Sequence, residues 1–561
     1  MADYGGAANR RRWQRGLPLA LLGALLGLGA SLYRGYGMPW DDFADHQLGV
    51  TTASYVLRRL VPAAWQAHLP TDPRIAWLPT SGIMHGPVLE TPAAVLGWLF
   101  YPNQPAGYYA VRHGFVFLVF GLGVAALYGL GRLRFGSRRL ALVAPVLLVL
   151  SPRFFAEAFY NGKDVGFMAL FTVALWAIAR LVQRPTVGRA LLAAGATGAA
   201  IGVRMPGIML PGLALAWLAA RALARPTAPA APGRRRLLGL AGLYLLATAG
   251  ATVALWPYLW EQPVAAFSRV LGVMSHVPWS RTVLYWGRLV PAPALPWHYL
   301  PVWLLLTTPV AYVAAALVGL GAVVAHVTLA ARRGRWNWAT QFDCVLVLWL
   351  LGPLVAIVGL RSVVFDGWRH AYFVYPALLL LAGRGVQVLG WAASRPGPRT
   401  RRALAGAFLL LLAADGARAG WFTARAYPNS QVYFSFLPAS VAERLFERDY
   451  WGLSYRYGLE WLLRHDPSPV ITLTGPQPEL IYFNYLMLNS QQQQRLRLTN
   501  DARARYYLTA YRWHPQPYAD SLGPEVLAYR PGGGIKALSI FRRDSLARPL
   551  PRSPNSFYKR P

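Results

Sequence analysis

The sequence predicts a polytopic α-helical membrane protein that carries a C-terminal α/β domain. Three observations predict this class. Hydrophobic residues make up 55% of the 561 residues, and the mean hydropathy of +0.31 is above that of ordinary soluble domains. Apolar runs long enough to cross a bilayer recur between Leu17 and Trp421. Short arginine clusters separate many of these runs, which is the pattern that orients helices in membranes.

The first expected element is a membrane helix over residues 17–33. Basic residues between Arg10 and Arg15 precede it, so we expect a retained helix whose N-terminus is cytoplasmic. Residues 34–107 then form a first loop outside. This loop contains an amphipathic segment at 48–60 and an apolar segment at 88–100, which is too short for a full crossing.

Run length predicts about eleven spans in total. The segments 152–164 and 257–298 are expected to be outer loops, and the arginine-rich loops are expected to lie inside. The expected spans are 17–33, 108–130, 140–150, 165–182, two helices within 190–223 that turn at Arg204, 237–256, 299–329, 345–360, 371–389 and 403–421.

These patterns divide the chain into a transmembrane domain at residues 1–421 and an extracytoplasmic domain at 422–561. In the second domain, residues 440–463 have a helical pattern. Its strand-like runs are 470–473, 506–510 and 535–541, and Gln491 to Gln494 read as a loop. This mixture predicts a small α/β domain.

The net charge of +34 arises from 56 Lys and Arg against 22 Asp and Glu. Much of the positive charge lies in short clusters between apolar runs, where it favours anionic lipid headgroups. No nucleic-acid recognition motif accompanies it, so we expect membrane lipids as partners and no nucleic acid. The single cysteine, Cys344, excludes an intrachain disulfide.

An acidic segment follows the first span. Asp41, Asp42, Asp45 and His46 lie within six residues of a chain that is poor in acid. Carboxylates at a membrane boundary indicate chemistry. One of them can act as a base, since desolvation raises the proton affinity of a carboxylate. The alternatives are a divalent metal site and a solvated loop with helix caps.

A second candidate group opens the expected helix at 165–182. Asp164 is a second acidic residue that can face the first group across a cleft. Lys163 and Arg153 are close in sequence and can meet a phosphate. The alternative is that Asp164 only stabilises the helix N-terminus.

Cations and histidines form the remaining candidates. Arg204 and the pair Arg369 and His370 are candidate phosphate ligands, because guanidinium groups match phosphate oxygens bidentately. Arg204 can instead extend to lipid headgroups. His85 and His298 are candidates for shaping the pocket, or else belong to turns and aromatic anchors.

Taken in order, these segments resemble the membrane glycosyltransferases of the GT-C superfamily. The resemblance is to the family 39 group of protein O-mannosyltransferases and lipid A aminoarabinose transferases, in a bacterial branch. It covers most of the chain. The matching segments are Trp40 to Asp42, Ser151 to Phe155, Tyr160 to Asp164, Pro296 to Tyr299, Asp366 to His370 and Asp449 to Arg456.

The resemblance implies an inverting transfer from a polyprenyl-phosphate sugar to a lipid, protein or glycan acceptor, at the outer face of a bacterial cytoplasmic (inner) membrane. By position Asp41 takes the lead acidic role. The family's usual first-loop pair is Asp-Glu, so Asp42 departs from it. A transporter or flippase of lipid-linked glycans and a non-catalytic envelope assembly protein are the rival hypotheses.

Overall fold

The computed structural model describes residues 4–62, 85–223, 233–275, 279, 281–499, 504–512, 514–518 and 522–543. The expected first loop is therefore described only in its two outer parts, 34–62 and 85–107. Within the described residues, nine helices are long and apolar enough to cross a membrane, or up to ten if one bent helix pair counts as a span.

The long helices confirm the polytopic fold class. Most of them begin or end at an arginine-rich segment, because the arginines stop each apolar run at the membrane surface. The long helical segments are Gly16–Gly35, Pro105–Phe135, Asp164–Gln183, Met205–Leu223, Arg234–Leu255, Val310–Arg332, Trp338–Gly359, Arg369–Ser394 and Arg399–Ala426.

Two of the eleven predicted spans are helices too short to cross a bilayer alone, which is why nine or ten of the described helices are long enough to do so. The span expected at 140–150 is the helix Arg138–Val149, which bends by 71° into the helix Pro152–Tyr160. The first helix of the segment 190–223 is Val187–Ile201, which has only 15 residues. Its partner begins after a turn at Arg204, as predicted.

Several segments expected to be loops form secondary structure instead. Every residue of the helix Pro152–Tyr160 is buried, although an outer loop was expected there. The segment 257–298 contains the helix Pro263–Ser275 and an antiparallel hairpin of β1 (Thr282–Tyr285) and β2 (Arg288–Pro291). The expected span at 299–329 is divided into Tyr299–Thr307 and Val310–Arg332.

The first loop supplies two more helices, which pack on each other and on the bundle. Asp42–Leu60 covers the amphipathic segment, and Glu90–Phe100 covers the short apolar one. Gly49 allows them to approach closely, because a Cβ there would lie 2.4 Å from the backbone oxygen of Glu90. The acidic segment thereby sits at the start of a helix that is fixed against the bundle.

The C-terminal region contains a five-stranded mixed sheet with helices, as an α/β domain requires. Its order is β4-β3-β5-β7-β6, in which β3 runs parallel to β4 and β5 while β7 runs antiparallel to both of its neighbours. The strands are β3 Ile471–Thr474, β4 Leu496–Leu498, β5 Tyr506–Thr509, β6 Glu525–Tyr529 and β7 Leu538–Arg542. The helices are Ala439–Leu445, Ser454–His465, Pro478–Tyr485 and Ser490–Gln494.

Two expectations for this region are wrong. The helical pattern at 440–463 is two helices, separated by the buried segment 446–453. The glutamines expected in a loop lie in the helix Ser490–Gln494, because Asn489 and Gln492 form a reciprocal capping box.

The bundle has two chemically different ends. At one end Arg134 Nε donates to Asp343 Oδ1 at 2.6 Å, and His326 Nδ1 lies 2.8 Å from the other oxygen of the same carboxylate. At the other end lie Asp41, Asp164 and the turn at Arg204. We call this second end the site end.

Candidate active site

Asp41 lies at the start of the first-loop helix and contacts two cations from distant segments. Its Oδ2 atom is 2.8 Å from Arg369 Nη1 and 3.1 Å from Lys163 Nζ. Trp40 fixes the chain next to it by donating its backbone N–H to the carbonyl of Trp451 at 3.2 Å. The Asp41 side chain is 19% exposed, so it remains accessible at the surface of the cluster.

Asp164 opens its helix directly opposite this group. Its backbone N–H donates to the side-chain oxygen of Asn161 at 2.9 Å. Its carboxylate forms an ion pair with Arg204, and its other oxygen lies 3.5 Å from Arg369 Nη1. One guanidinium nitrogen of Arg369 therefore lies between Asp41 and Asp164.

These contacts define what we call the Arg369 cluster. It brings together residues from four separate parts of the sequence, most of which were predicted as site residues. Its members are Asp41, Lys163, Asp164, Arg204, Asp366 and Arg369.

The protonation of Asp41 differs from the expectation made from the sequence. Burial raises the pKa of the Asp41 carboxyl, but Lys163 and Arg369 together outweigh burial and hold the pKa well below its ordinary value. Asp41 is therefore ionised at neutral pH and is a weak proton acceptor while both cations remain on it.

A second group of charges lies behind the first and is closed to solvent. Arg112 donates to Asp42 at 2.6 Å, to Asp45 at 3.1 Å and to Glu90 at 2.9 Å. Arg112 and Asp42 are both 0% exposed, and His113 Nε2 lies 3.4 Å from Asp42. We call this group the Arg112 cluster. Asp42, predicted as catalytic, is placed here as a structural counter-ion.

Asp45 connects the two clusters. Its Oδ1 atom is 3.0 Å from Lys163, and its Oδ2 atom is 3.1 Å from Arg112. The pKa of the Asp45 carboxyl is raised to about 7. Burial and the neighbouring Glu90 carboxylate raise it, and together they outweigh the lowering effect of Lys163 and Arg112. A proton on Asp45 at neutral pH relieves the excess of carboxylates around Arg112.

The four candidate histidines separate into two pairs. His85 and His370 both face Arg204 and Arg369, near Asp41. Burial and these cations lower the pKa of His85 well below its ordinary value, so its imidazole is neutral at neutral pH.

The other two histidines lie outside the Arg369 cluster. His46 stacks edge-on against Tyr108, with ring centroids 4.0 Å apart, and lines a cavity of about 490 Å³ between the first-loop helices and the bundle. His298 bonds the Tyr285 hydroxyl at 2.6 Å and thereby anchors the hairpin.

Arg153 is also placed differently from the prediction. Its side chain is buried and donates to the Tyr450 hydroxyl at 3.3 Å, while its guanidinium lies 5.7 Å from the centroid of the Trp303 ring. It therefore lies in the packed interior, below the Arg369 cluster.

Two residues of this region escaped sequence reasoning. Arg112 lies within an apolar run, and an ionisable residue inside a predicted span was the signal available for it. Arg512 belongs to the C-terminal domain, where it contacts Asp366 Oδ1 at 2.6 Å. Its sequence neighbourhood carries no catalytic motif, so no comparable signal existed.

The acidic segment does not fit a resident divalent metal. Lys163 contacts both Asp41 and Asp45, and Arg112 contacts both Asp42 and Asp45, so each of the three carboxylates is already paired with a cation. Within the described residues, no group of three or more His, Cys, Asp or Glu side chains is arranged to hold a metal ion.

The fold and the site define an integral-membrane protein whose buried acids and cations meet at one end of a helical bundle. Residues 110–259 match the family model described as dolichyl-phosphate-mannose-protein mannosyltransferase. The matched segment includes Lys163, Asp164 and Arg204. Over these residues the match agrees with the resemblance to membrane glycosyltransferases of the GT-C superfamily.

Two solved structures align with most of the chain at low identity. ArnT from Cupriavidus metallidurans bound to undecaprenyl phosphate is 16% identical with a TM-score of 0.46, over 95% of this chain and 100% of that chain. The apo oligosaccharyltransferase of Archaeoglobus fulgidus is 13% identical with a TM-score of 0.44, over 85% of this chain. The match spans 64% of the length of the archaeal enzyme. The search of curated proteins gave no match.

Proposed function

We propose that this protein is an integral-membrane glycosyltransferase that moves a sugar from a polyprenyl-phosphate donor to an acceptor at the outer face of a bacterial cytoplasmic membrane. The observation that carries the proposal is the Arg369 cluster, in which an accessible carboxylate lies between cations suited to a phosphate. The chemistry of the acceptor, whether lipid, protein or glycan, stays open.

The orientation rests on the distribution of arginines. Clusters of arginine occur at the bundle end opposite the site end, and cytoplasmic loops carry such an excess. This argument assigns the site end, and with it the C-terminal domain, to the outside. The clusters are Arg132 to Arg139, Arg234 to Arg236, Arg332 to Arg333 and Arg399 to Arg402.

The cations fit a donor phosphate. Lys163 and Arg369 are partly buried, with side chains 15% and 8% exposed, and each has a nitrogen on Asp41. A phosphate that enters here competes with Asp41 for the same nitrogens. Fixed positive groups also stabilise the charge that develops on the departing phosphate.

Donor binding then prepares the base. When the phosphate draws Lys163 and Arg369 away from Asp41, burial is no longer outweighed, and the pKa of Asp41 rises. Asp41 accepts the acceptor's hydroxyl proton while the acceptor oxygen bonds to the anomeric carbon. The bond from that carbon to the phosphate oxygen breaks, and its electron pair leaves on the polyprenyl phosphate. Attack from the opposite face inverts the anomeric centre.

Asp164 and Arg204 hold the opposite side of the site. Their ion pair faces Arg369 and keeps the guanidinium between the two carboxylates. His85 contributes a neutral imidazole close by, and its Nδ1 atom has no hydrogen-bond partner among the described residues. The imidazole is suited to form a hydrogen bond with a hydroxyl group of the sugar.

The test is Asp41→Asn in the full-length protein. We expect transfer from a labelled polyprenyl-phosphate sugar to fall by ~10²–10⁴-fold, because a general base contributes on that scale. Asp415→Asn is the matched control: Asp415 is 15% exposed and pairs with Arg418 at 2.8 Å, away from the site. Glycolipids and glycoproteins of a deletion strain carrying each variant, compared by mass spectrometry, identify the acceptor.

The rival hypotheses give different results in the same experiment. A flippase needs two compartments, so transfer by purified protein in detergent solution contradicts it. A non-catalytic assembly protein tolerates Asp41→Asn, and unchanged transfer products in that strain would overturn our proposal.

A further inference from the structure

A continuous line of ion pairs connects the C-terminal domain to Asp41. Arg512, which follows β5, donates Nη2 to Asp366 Oδ1 at 2.6 Å and Nη1 to the Tyr450 carbonyl at 2.7 Å. The other oxygen of Asp366 lies 3.1 Å from Arg369 Nη2. Arg369 Nη1 in turn lies 2.8 Å from Asp41. Three contacts therefore link the domain to the proposed base.

This line is buried along its length. The side chains of Arg512, Asp366 and Arg369 are 4%, 6% and 8% exposed. Charge-assisted hydrogen bonds are strong in such surroundings, and losing one partner leaves the other charge without compensation. Each member therefore constrains the position of the next.

The middle of the line has a fixed backbone. Asp366 has a φ of +55° and Gly367 a φ of +72°, so the chain turns sharply here in the left-handed region. The Gly367 N–H donates to the Tyr299 hydroxyl at 3.0 Å. The Asp366 carboxylate is thus held where both Arg369 and Arg512 can reach it.

The balance of charge at Asp366 determines where Arg369 lies. Asp366 is shared by two guanidinium groups, so its attraction for Arg369 is divided. Without Arg512, the whole carboxylate charge acts on Arg369 and draws it away from Asp41. Glu447, Arg153 and Arg281 also face this line and remain in place.

We infer that Arg512 is a positioning residue supplied by the C-terminal domain, and that docking of this domain completes the catalytic site. The domain holds Arg369 on Asp41 through Asp366. The inference deepens the proposed function and rests on it for the role of Asp41.

The test compares Arg512→Gln, Arg512→Lys and a control, Arg505→Gln, in the full-length protein. Arg505 lies in the same domain and pairs with Asp466 at 3.0 Å, and its side chain is 31% exposed. We expect Arg512→Gln to lower kcat by ~10–100-fold, since a small misplacement of a catalytic group costs about that much.

The pH profile separates positioning from a general structural role. In Arg512→Gln, Asp41 loses part of its contact with Arg369, so its pKa rises and the acid limb of the activity profile moves to higher pH. Arg512→Lys keeps the positive charge but lacks the two guanidinium nitrogens that donate to separate acceptors, so its acid limb should shift by a smaller amount. Arg505→Gln should match the wild type.

Hydrogen exchange of the intact protein gives a readout that needs no activity. We expect faster exchange of the amides at 366–370 in Arg512→Gln than in the wild type or in Arg505→Gln. If the wild type shows no transferase activity, the proposed function fails, and exchange alone decides whether Arg512 positions this turn. Wild-type exchange at 366–370 in both Arg512 variants overturns the inference.

Discussion

The Arg112 cluster and the Arg369 cluster use the same residue types but differ in access to solvent. In the Arg112 cluster one guanidinium faces three carboxylates, and no side chain among the three acids is more than 7% exposed. In the Arg369 cluster, cations and acids are closer to balance, and Asp41 and Lys163 are 19% and 15% exposed. The closed cluster fixes the first loop, whereas the open one can exchange a carboxylate for a ligand.

The difference arises from two adjacent residues at the start of one helix. Asp41 and Asp42 are neighbours in sequence, but helical geometry turns successive side chains by about 100°. Asp42 therefore faces the bundle interior and Asp41 faces the cleft. The two clusters therefore differ in whether solvent or a ligand can reach their carboxylates.

The largest expected effect comes from breaking the closed cluster. Arg112→Met leaves Asp42, Asp45 and Glu90 buried without their common partner, so we expect a loss of about 3–5 kcal/mol in unfolding free energy. Thermal unfolding and yield of the purified protein measure it. Arg180→Met is the control, since the Arg180 guanidinium lies 5.3 Å over the Trp176 ring rather than on an acid. Equal stability of the two variants would contradict the closed-cluster assignment.

Changing the open cluster should affect activity before stability. Arg369→Gln removes a cation from the phosphate subsite and from Asp41, so we expect kcat/KM for the donor to fall about 10–200-fold, the value of one to two charged hydrogen bonds. With one of its two cations gone, the pKa of Asp41 rises, and the acid limb of the rate profile moves to higher pH.

Initial rates between pH 5 and 8 test this prediction. Arg369→Lys keeps a positive charge and should show a smaller change in the acid limb. A profile for Arg369→Gln that coincides with that of the wild type would show that Arg369 does not control the ionisation of Asp41.

The smallest effect concerns Glu447, a buried acid of the C-terminal domain. Glu447 has no hydrogen-bond partner for either oxygen in the described part of the chain. Burial and Asp366 raise the pKa of Glu447 to about 8, although Arg512, Arg369 and Arg153 lower it.

The direction of its pH effect follows from this shift. The folded protein binds a proton more tightly than the unfolded chain does, so Glu447 reduces stability as the pH rises from about 4.5 to about 8. Glu447→Gln should therefore raise the unfolding free energy by about 1 kcal/mol at pH 8 and by less at pH 5.

Glu443→Gln is the matched control for this stability measurement. Glu443 accepts hydrogen bonds from Arg530 at 2.6 Å and from the Lys536 backbone at 2.8 Å, so its replacement should lower stability. A decrease for both variants would show that Glu447 has a stabilising partner.

Much of the fold and part of the site follow from the sequence. Run length and arginine clusters locate the long helices. The thickness of the bilayer sets the length of each apolar run, and the preference of arginine for cytoplasmic loops marks its ends, so both signals can be read from short stretches of sequence. Asp41, Lys163, Asp164, Arg204 and Arg369 were recognised as site candidates because each is a charged residue in a loop or turn that joins predicted spans. Their convergence at one end then follows from the alternation of the spans.

The remaining features depend on packing between distant segments. Which of Asp41 and Asp42 faces the cleft depends on a helix start that is set by contacts with residues far along the chain. Arg512 meets Asp366 across 146 positions, and no local pattern encodes that contact. The bend of 71° after Val149 likewise depends on surrounding helices.

That bent pair has a consequence for how the protein is made. The helix Arg138–Val149 has 12 residues and is about 18 Å long, so it cannot span a hydrocarbon layer of about 30 Å alone. Beyond it, Glu157 is fully buried and accepts hydrogen bonds from Tyr372 at 2.9 Å and Tyr450 at 3.3 Å.

Those tyrosines are synthesised more than 200 positions later. Polar groups without all their partners are costly in lipid, so we expect this segment to reach its final packing only after both tyrosines have been synthesised. A truncation before Tyr372 should leave this segment accessible to water-soluble cysteine reagents when a cysteine is introduced at Ala158.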